Sequence, residues 1–202
     1  MHIPDGFLDV KTAVVTSAAS LAALKCSMAK VKEQLGERDV PALGVTAAFI
    51  FAAQMVNFPV MAGTSGHLLG AALASTLFGP YGASLVLSAV LIVQCLFFQD
   101  GGITALGANI LNIAVAGPFV ANWVYGFVKR WSDQVAVFLS AWVSVIVGAL
   151  LTSAELALSG TVPMKAVVAP MVLVHAAIGI GEGIITCAAV AYVRNFFRGE
   201  MK

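Results

Sequence analysis

The chain has three histidines, and the first of them, His2, is placed where it can chelate together with the backbone. Given a free amine on Met1, that amine, the amide nitrogen of His2 and its imidazole Nδ1 close fused five- and six-membered rings, so two residues supply three nitrogens. A fourth nitrogen from His67 would complete a square plane, the arrangement that selects Ni(II) or Cu(II) over Mg(II) or Ca(II). Zinc prefers a tetrahedron. Such a site needs the initiator methionine to stay on the chain, and the bulky His2 behind it discourages its removal. Two blander readings stay open: His2 as a surface residue without a role, and His67, in the Gly-rich run Met61-Ala-Gly-Thr-Ser-Gly-His-Leu-Leu-Gly70, as a helix cap or carbonyl partner.

His175 and Glu182 lie seven residues apart in the last apolar stretch, hence on nearly one helix face. An ionisable residue inside a membrane is a functional candidate. This pair offers a proton or metal relay, and with it an alternative function, a proton-coupled secondary divalent-metal transporter or channel. Set against it, each residue can simply satisfy a partner inside a helix bundle. Secondary transporters often show two related halves, and no such duplication is evident here. Cys26, Cys95 and Cys187 sit in separate apolar stretches without metal-ligand spacing and read as small packing residues. No Ser/His/Asp set, H-E-x-x-H helix or paired catalytic carboxylate is visible, which argues against an enzyme. Nor is there a phosphate loop of the Gly-x-x-x-x-Gly-Lys-[Ser/Thr] type for ATP.

The elements that must position these residues are membrane helices. Of 202 residues, 60% are hydrophobic and 10% charged, against about 25% charged in a soluble domain. A bilayer core of about 30 Å needs roughly 20 apolar residues in helical form. Apolar stretches predict an all-α bundle of seven helices over 10–30, 41–61, 67–79, 81–98, 104–128, 134–154 and 164–193, forming one membrane domain over 1–202. The third is too short for a full crossing and is expected to be tilted, partly re-entrant or covered by neighbours. The last is long enough to be broken or to begin outside the membrane. Small residues at Ala18-x-x-x-Ala22, Ala48-x-x-x-Ala52 and Gly179-Ile-Gly181-Glu-Gly183 have the spacing of close helix packing.

Lys and Arg gather on the cytoplasmic side of short loops. With the amino terminus outside, Lys25, Lys30, Lys32, Arg38, Lys129, Arg130, Arg194, Arg198 and Lys202 fall inside and only Lys11 and Lys165 outside, nine against two. That orientation puts His2 and His67 on the same outer face. A net charge of +1 gives no reason to expect a nucleic-acid partner. The opening residues lack the basic start and apolar region of a secretory signal peptide, so Met1 is expected to begin the mature chain.

The opening Met-His-Ile-Pro-Asp-Gly-Phe-Leu, the Gly63-Thr-Ser-Gly-His-Leu-Leu-Gly70 loop and the Gln99-Asp-Gly-Gly-Ile-Thr-Ala-Leu-Gly-Ala-Asn109 segment together resemble the nickel/cobalt-specific substrate-binding component of energy-coupling-factor transporters, the NikM/CbiM family. The resemblance implies a multi-pass protein of the prokaryotic cell membrane that captures Ni(II) or Co(II) as cargo, with no catalytic cofactor. It implies partners, a transmembrane coupling subunit, a cytoplasmic ATPase pair and in some systems a small accessory membrane protein. It also implies an extra amino-terminal segment and helix, about 1–32, added to a six-helix core, about 41–193. Carried over residue by residue, the family's ligands are the Met1 amine, the amide and imidazole of His2, and the imidazole of His67. Pro4-Asp5-Gly6 is more similar to nickel members than to cobalt members with Met-Glu-Gly there. Because a ligating imidazole hands its other N–H to a carboxylate, carbonyl or water, Asp5, Asn57, Thr64, Ser65, Gln99 and Asp100 are the outer-side supporting candidates. Asp5 and Asp9 would serve equally as caps of the first helix.

Overall fold

The computed structural model describes residues 1–60 and 64–200, without the side chains of 196–200. Gly63 of the histidine loop, the Arg198 side chain and Lys202 lie outside the described residues. Helix α1, Val10–Gln34, begins at Asp9, whose carboxylate accepts from Thr12 N at 3.1 Å. A single 3₁₀ turn, Glu37–Asp39, leads into α2, Val40–Gln54, with Pro41 in its first turn where no amide partner is needed. The sequence predicts this helix to reach residue 61. It stops at Gln54, and the chain instead makes a small antiparallel hairpin of β1, Phe58–Pro59, and β2, Ser65–Gly66, with Phe58 opposite Gly66. Pro59 keeps Phe58 out of helical conformation, so the helix cannot run on through 58–61.

Helix α3, Ala71–Phe98, contains both segments expected over 67–79 and 81–98, joined at a break. Pro80 cannot donate to the turn before it, and Gly79 takes φ 72°, which a side chain would resist. The first half starts at 71, so His67 precedes the helix. Its residues 71–75 are all buried, so neighbours cover the short half. The next crossing runs from α4, Leu106–Asn109, through a wide π-helical stretch, Ile110–Ala116, into α5, Gly117–Val128. Helices α6, Asp133–Leu158, and α7, Met164–Glu200, follow, and α6 packs along both α5 and α7.

Five described helical spans are long and apolar enough to cross a membrane: Val10–Gln34, Ala71–Phe98, Leu106–Val128, Asp133–Leu158 and Met164–Asn195. Burial is inverted relative to a soluble protein. In α1 the buried residues are Thr16, Ser20 and Ser27, while Val14, Val15 and Leu21 face outward. Small hydroxyl residues let helices touch in lipid: Ser20 Oγ donates to Gly107 O at 2.6 Å, and a Cβ on Gly107 would stand 2.4 Å from Ser17 Cα. The sequence places the packing stripes at Ala18/Ala22 and Ala48/Ala52, but all four are exposed. The contact faces are Thr16/Ser20/Ser27 and Thr46/Ile50/Gln54, because hydroxyl and amide groups need partners that lipid cannot give. The Gly179 and Gly183 prediction holds: Cβ atoms there would meet Trp142 at 2.9 Å and Phe138 at 2.5 Å, whereas Gly181 meets nothing.

Candidate metal centre

Residues 1–9 are threaded into the bundle and not laid on it. Met1, His2 and Ile3 are at most 3% exposed. Asn109, at the end of α4, holds Ile3 at both backbone groups: Ile3 N donates to Asn109 Oδ1 at 2.8 Å, and Asn109 Nδ2 donates to Ile3 O at 3.1 Å. Gly102 N also donates to Ile3 O, at 2.9 Å. Glycine is required there, since a Cβ on Gly102 would lie 2.3 Å from Asp5 N. Asp5 accepts from Thr104 N at 2.7 Å and Thr104 Oγ1 at 2.6 Å, which holds its carboxyl below the usual range. Further along, Thr161 Oγ1 donates to Phe7 O and Ser159 Oγ to Asp9 Oδ1.

This threading brings His2 against His67, with ring centroids 4.5 Å apart and planes 20° apart. The Met1 amine donates to Ser65 O and lies 3.4 Å from Ser65 Oγ, and His2 N donates to Ser65 Oγ at 3.2 Å. The Met1 amine and the His2 amide therefore both sit on Ser65 of β2, and the His2 ring lies face to face with that of His67, two residues further on. Among the described residues no three His, Cys, Asp or Glu side chains gather to hold an ion, so an ion here would draw on backbone nitrogen.

The loop behind His67 is fixed from several sides. His67 Nδ1 is 2.7 Å from Leu68 O; a carbonyl only accepts, so Nδ1 carries the proton and the buried Nε2 keeps its lone pair. Leu69 N and Gly70 N donate to Glu182 at 2.6 and 3.0 Å, and Gln54 Nε2 donates to Leu69 O at 2.7 Å. Gly70, at φ 76°, turns the chain into α3. Glu182 is thus a carboxylate at the amino end of a helix, where the orphan N–H groups favour an anion.

Burial drives the electrostatics. The Met1 amine is pushed down to about 4 by burial, against the pull of Asp100. His67 is held well below its usual value by burial first, then by the positive charges of the amine and His2. His2 is lowered by burial, partly offset by its hydrogen bond to Asp100, with Nδ1 and Oδ1 at 3.0 Å. Burial pushes Asp100 up, but His2 and the amine more than offset this and leave it lowered. At neutral pH the nitrogens are uncharged and Asp100 is ionised.

Of the supporting candidates, the fold brings Ser65 and Asp100 onto the histidines, and Asn57 onto Asp100 through a 3.0 Å bond from Nδ2 to Oδ2. Asp5 anchors the segment and does not face the rings. Thr64 is buried with its hydroxyl 3.2 Å from Met171 Sδ. Gln99 caps α3 and is exposed, while Gln94, five residues earlier, is fully buried beside His2. His175 is buried in α7, its Nδ1 2.8 Å from Met171 O. Asn109 and Gln94 were missed by sequence reasoning. Asn109 closes the third motif quoted above, but nothing local tells that its partner is residue 3.

Residues 2–199 match the family described as cobalt uptake substrate-specific transmembrane region, CbiM. An Archaeoglobus fulgidus protein named putative fused nickel transport protein NikMN is 40% identical over 96% of this chain, which spans 65% of that relative. A putative metal transport protein of Haloquadratum walsbyi is 37% identical, with 96% and 89% covered. A cobalt transport protein CbiM of Acetoanaerobium sticklandii is 31% identical, with 92% and 81% covered. A crystal structure of a truncated transition metal transporter superposes with a TM-score of 0.92 at 33% identity, covering 97% of this chain and 99% of that one. With five apolar helices of crossing length this is a multi-pass membrane protein, and the match along nearly its whole length makes it a member of the cobalt-uptake substrate-specific transmembrane family, CbiM.

Proposed function

We propose that the chain, as one membrane domain, captures Ni(II) in preference to Co(II) at the outer face and serves as the substrate-binding subunit of an ATP-driven importer of the energy-coupling-factor type. One observation carries the reading: the Met1 amine and the His2 amide are held, buried, on Ser65, and the His2 imidazole is stacked on that of His67. The free Nε2 of His67 is a lone pair ready for a soft-to-borderline ion. The His2 nitrogen chosen for the chelate, Nδ1, faces Asp100 and its amide proton is on Ser65. Metal entry therefore exchanges these partners: the amide loses its proton, and the His2 proton shifts from Nδ1 to Nε2. A dipositive ion is then balanced by the deprotonated amide and by Asp100, so no net charge is buried. Nickel outranks cobalt at nitrogen sites, and the square plane favours it further.

The proposed donors are buried, so inward release would need movement of the bundle against a coupling subunit driven by an ATPase pair, with a small accessory membrane protein where the system has one. The relay reading is disfavoured, since both Glu182 oxygens already accept from backbone N–H groups. The test is Ni(II) binding by the purified untagged chain, by a version with one residue added before Met1, and by His67→Ala. The native chain is expected to bind one Ni(II) with a square-planar absorption band that both variants lose. Equal binding by the extended chain would remove the amine from the ligand set and overturn the reading.

A further inference from the structure

The amine of Met1 is only half of what that residue places in the bundle. Its side chain is fully buried and belongs to the same apolar core as Leu69, Ala71, Val145 and Ala149. An ideal Cβ on Gly148 of α6 would stand 2.7 Å from Met1 Cε, 3.1 Å from Met1 Sδ and 3.6 Å from Leu69 Cδ2. On the other side, a Cβ on Gly117 of α5 would meet Ala71 Cβ at 3.0 Å and Leu69 Cδ2 at 3.8 Å. Two helices have thus given up side chains, at Gly148 and Gly117, where Leu69 and the methionine thioether lie. Leu69 is two residues beyond His67 and is tied by its backbone to Glu182 and Gln54.

We propose that Gly148 and Leu69 form a seat for the Met1 side chain, which anchors the amine and holds the amino-terminal chelate in register with His67. The inference rests on the metal-capture reading and deepens it: residue 1 is selected by its side chain as well as by its free nitrogen. The physical reason is preorganisation. With the free amine that the metal-capture reading requires, Met1-His2 is a chain end, and a terminal residue without an anchor samples many conformations that must be given up on binding. Asn109 and Gly102 fix the segment only from Ile3 onward, and the hydrogen bond to Ser65 must rearrange when the amine turns its lone pair to an ion. The apolar seat does not have to change in that step. Met is suited to it, being unbranched and able to fill an irregular gap between helix backbones.

The test changes the side chain and leaves every donor atom in place. The full-length chain is made behind a cleavable leader, so that cleavage frees residue 1 as Met, as Met1→Gly or as Met1→Leu, and Ni(II) affinity and the absorption band are measured for each. Met1→Gly should bind about 10- to 100-fold more weakly, with the band position unchanged because the ligand set is the same. Met1→Leu should regain most of the loss. Gly148→Ala should weaken binding in the Met1 chain but cost nothing further in Met1→Gly, a non-additivity that a general packing defect would not give. Equal affinity of Met1→Gly and Met1 chains, or additive losses with Gly148→Ala, overturns the seat while leaving metal capture intact. Failure of the Met1 chain itself to bind would instead bring down the metal-capture reading, and the seat with it.

Discussion

His67 presents its ring to the face of His2 at 4.5 Å, nearly parallel, and its outer nitrogen is locked as a lone-pair donor by the Leu68 carbonyl behind it. On the proposed reading, these two uncharged imidazoles would be donors to one ion. Replacing His67 by Ala should lower Ni(II) affinity by more than the roughly 10- to 100-fold that loss of an outer partner costs. Isothermal titration on the purified protein measures this. A change smaller than tenfold would place the fourth donor elsewhere.

Asp100 is ionised and lies 3.0 Å from His2. Asp100→Asn keeps the shape and removes the charge that, on the proposed reading, would balance the ion. Affinity should fall about 10- to 100-fold, and Asn57→Ala, which leaves the charge but frees the carboxylate to move, should have a smaller effect. Equal effects would mean that positioning, and not charge, is what Asp100 contributes.

Proton competition gives a signed pH dependence. The buried amine titrates near 4 and His67 well below its usual range, so neither competes with metal at neutral pH. The amide of His2 must still lose its proton. Between about pH 6 and 7.5 the binding constant should rise close to tenfold per pH unit, the slope for one proton released. A slope of two would show that the amine is still protonated there. For the metal-free protein, a group depressed from 8.0 to about 4 contributes stability that is full above pH 8 and lost as the pH falls toward 4. The amino-terminal segment should accordingly become sensitive to hydrogen exchange as the pH drops through that window.

Asn109 closes a two-way bond with Ile3, and Asn109→Ala would leave the buried Ile3 N–H without its partner and the Ile3 C=O with Gly102 N alone. The cost is about 1–3 kcal/mol of segment docking, read as faster hydrogen exchange at residues 2–4 and a matching loss of metal affinity. Unchanged exchange would show that Gly102 alone holds the segment.

The helices were legible because lipid imposes length and hydropathy on them, and the break at Gly79–Pro80 because both residues act locally. Pro59 shows in the sequence that α2 cannot continue through Phe58, but an apolar run that continues past it masks this, and the end at Gln54 itself has no local signal. Packing faces were misread by two residues. Small-residue spacing marks where helices can touch, whereas the contact is decided by which hydroxyls find partners, as Ser20 does on Gly107. Within the candidate site, His2 and His67 stand out because imidazoles are rare in this chain. Asn109 and Gln94 do not, because their partners are 106 residues away for Asn109 and 92 for Gln94, and only the tertiary fold joins them.

The orientation of the whole site can be tested through its loops. Asn57–Asp100, Asp5–Thr104, Phe7–Thr161 and Asp9–Ser159 bonds gather the 55–60, 99–105 and 159–163 segments at the end of the bundle that holds Met1. The segment joining α1 to α2, with Arg38, sits one helix length away from the amino-terminal segment. If the charge bias sets orientation, Lys165 and the metal centre face outward, and Glu37 faces the cytoplasm. In a background with Cys26, Cys95 and Cys187 changed to Ala, Lys165→Cys should react with a membrane-impermeant maleimide in intact cells, and Glu37→Cys only after lysis. The reverse pattern would put the histidines on the cytoplasmic face, where an importer cannot collect its cargo, and would overturn the uptake reading even if nickel binds.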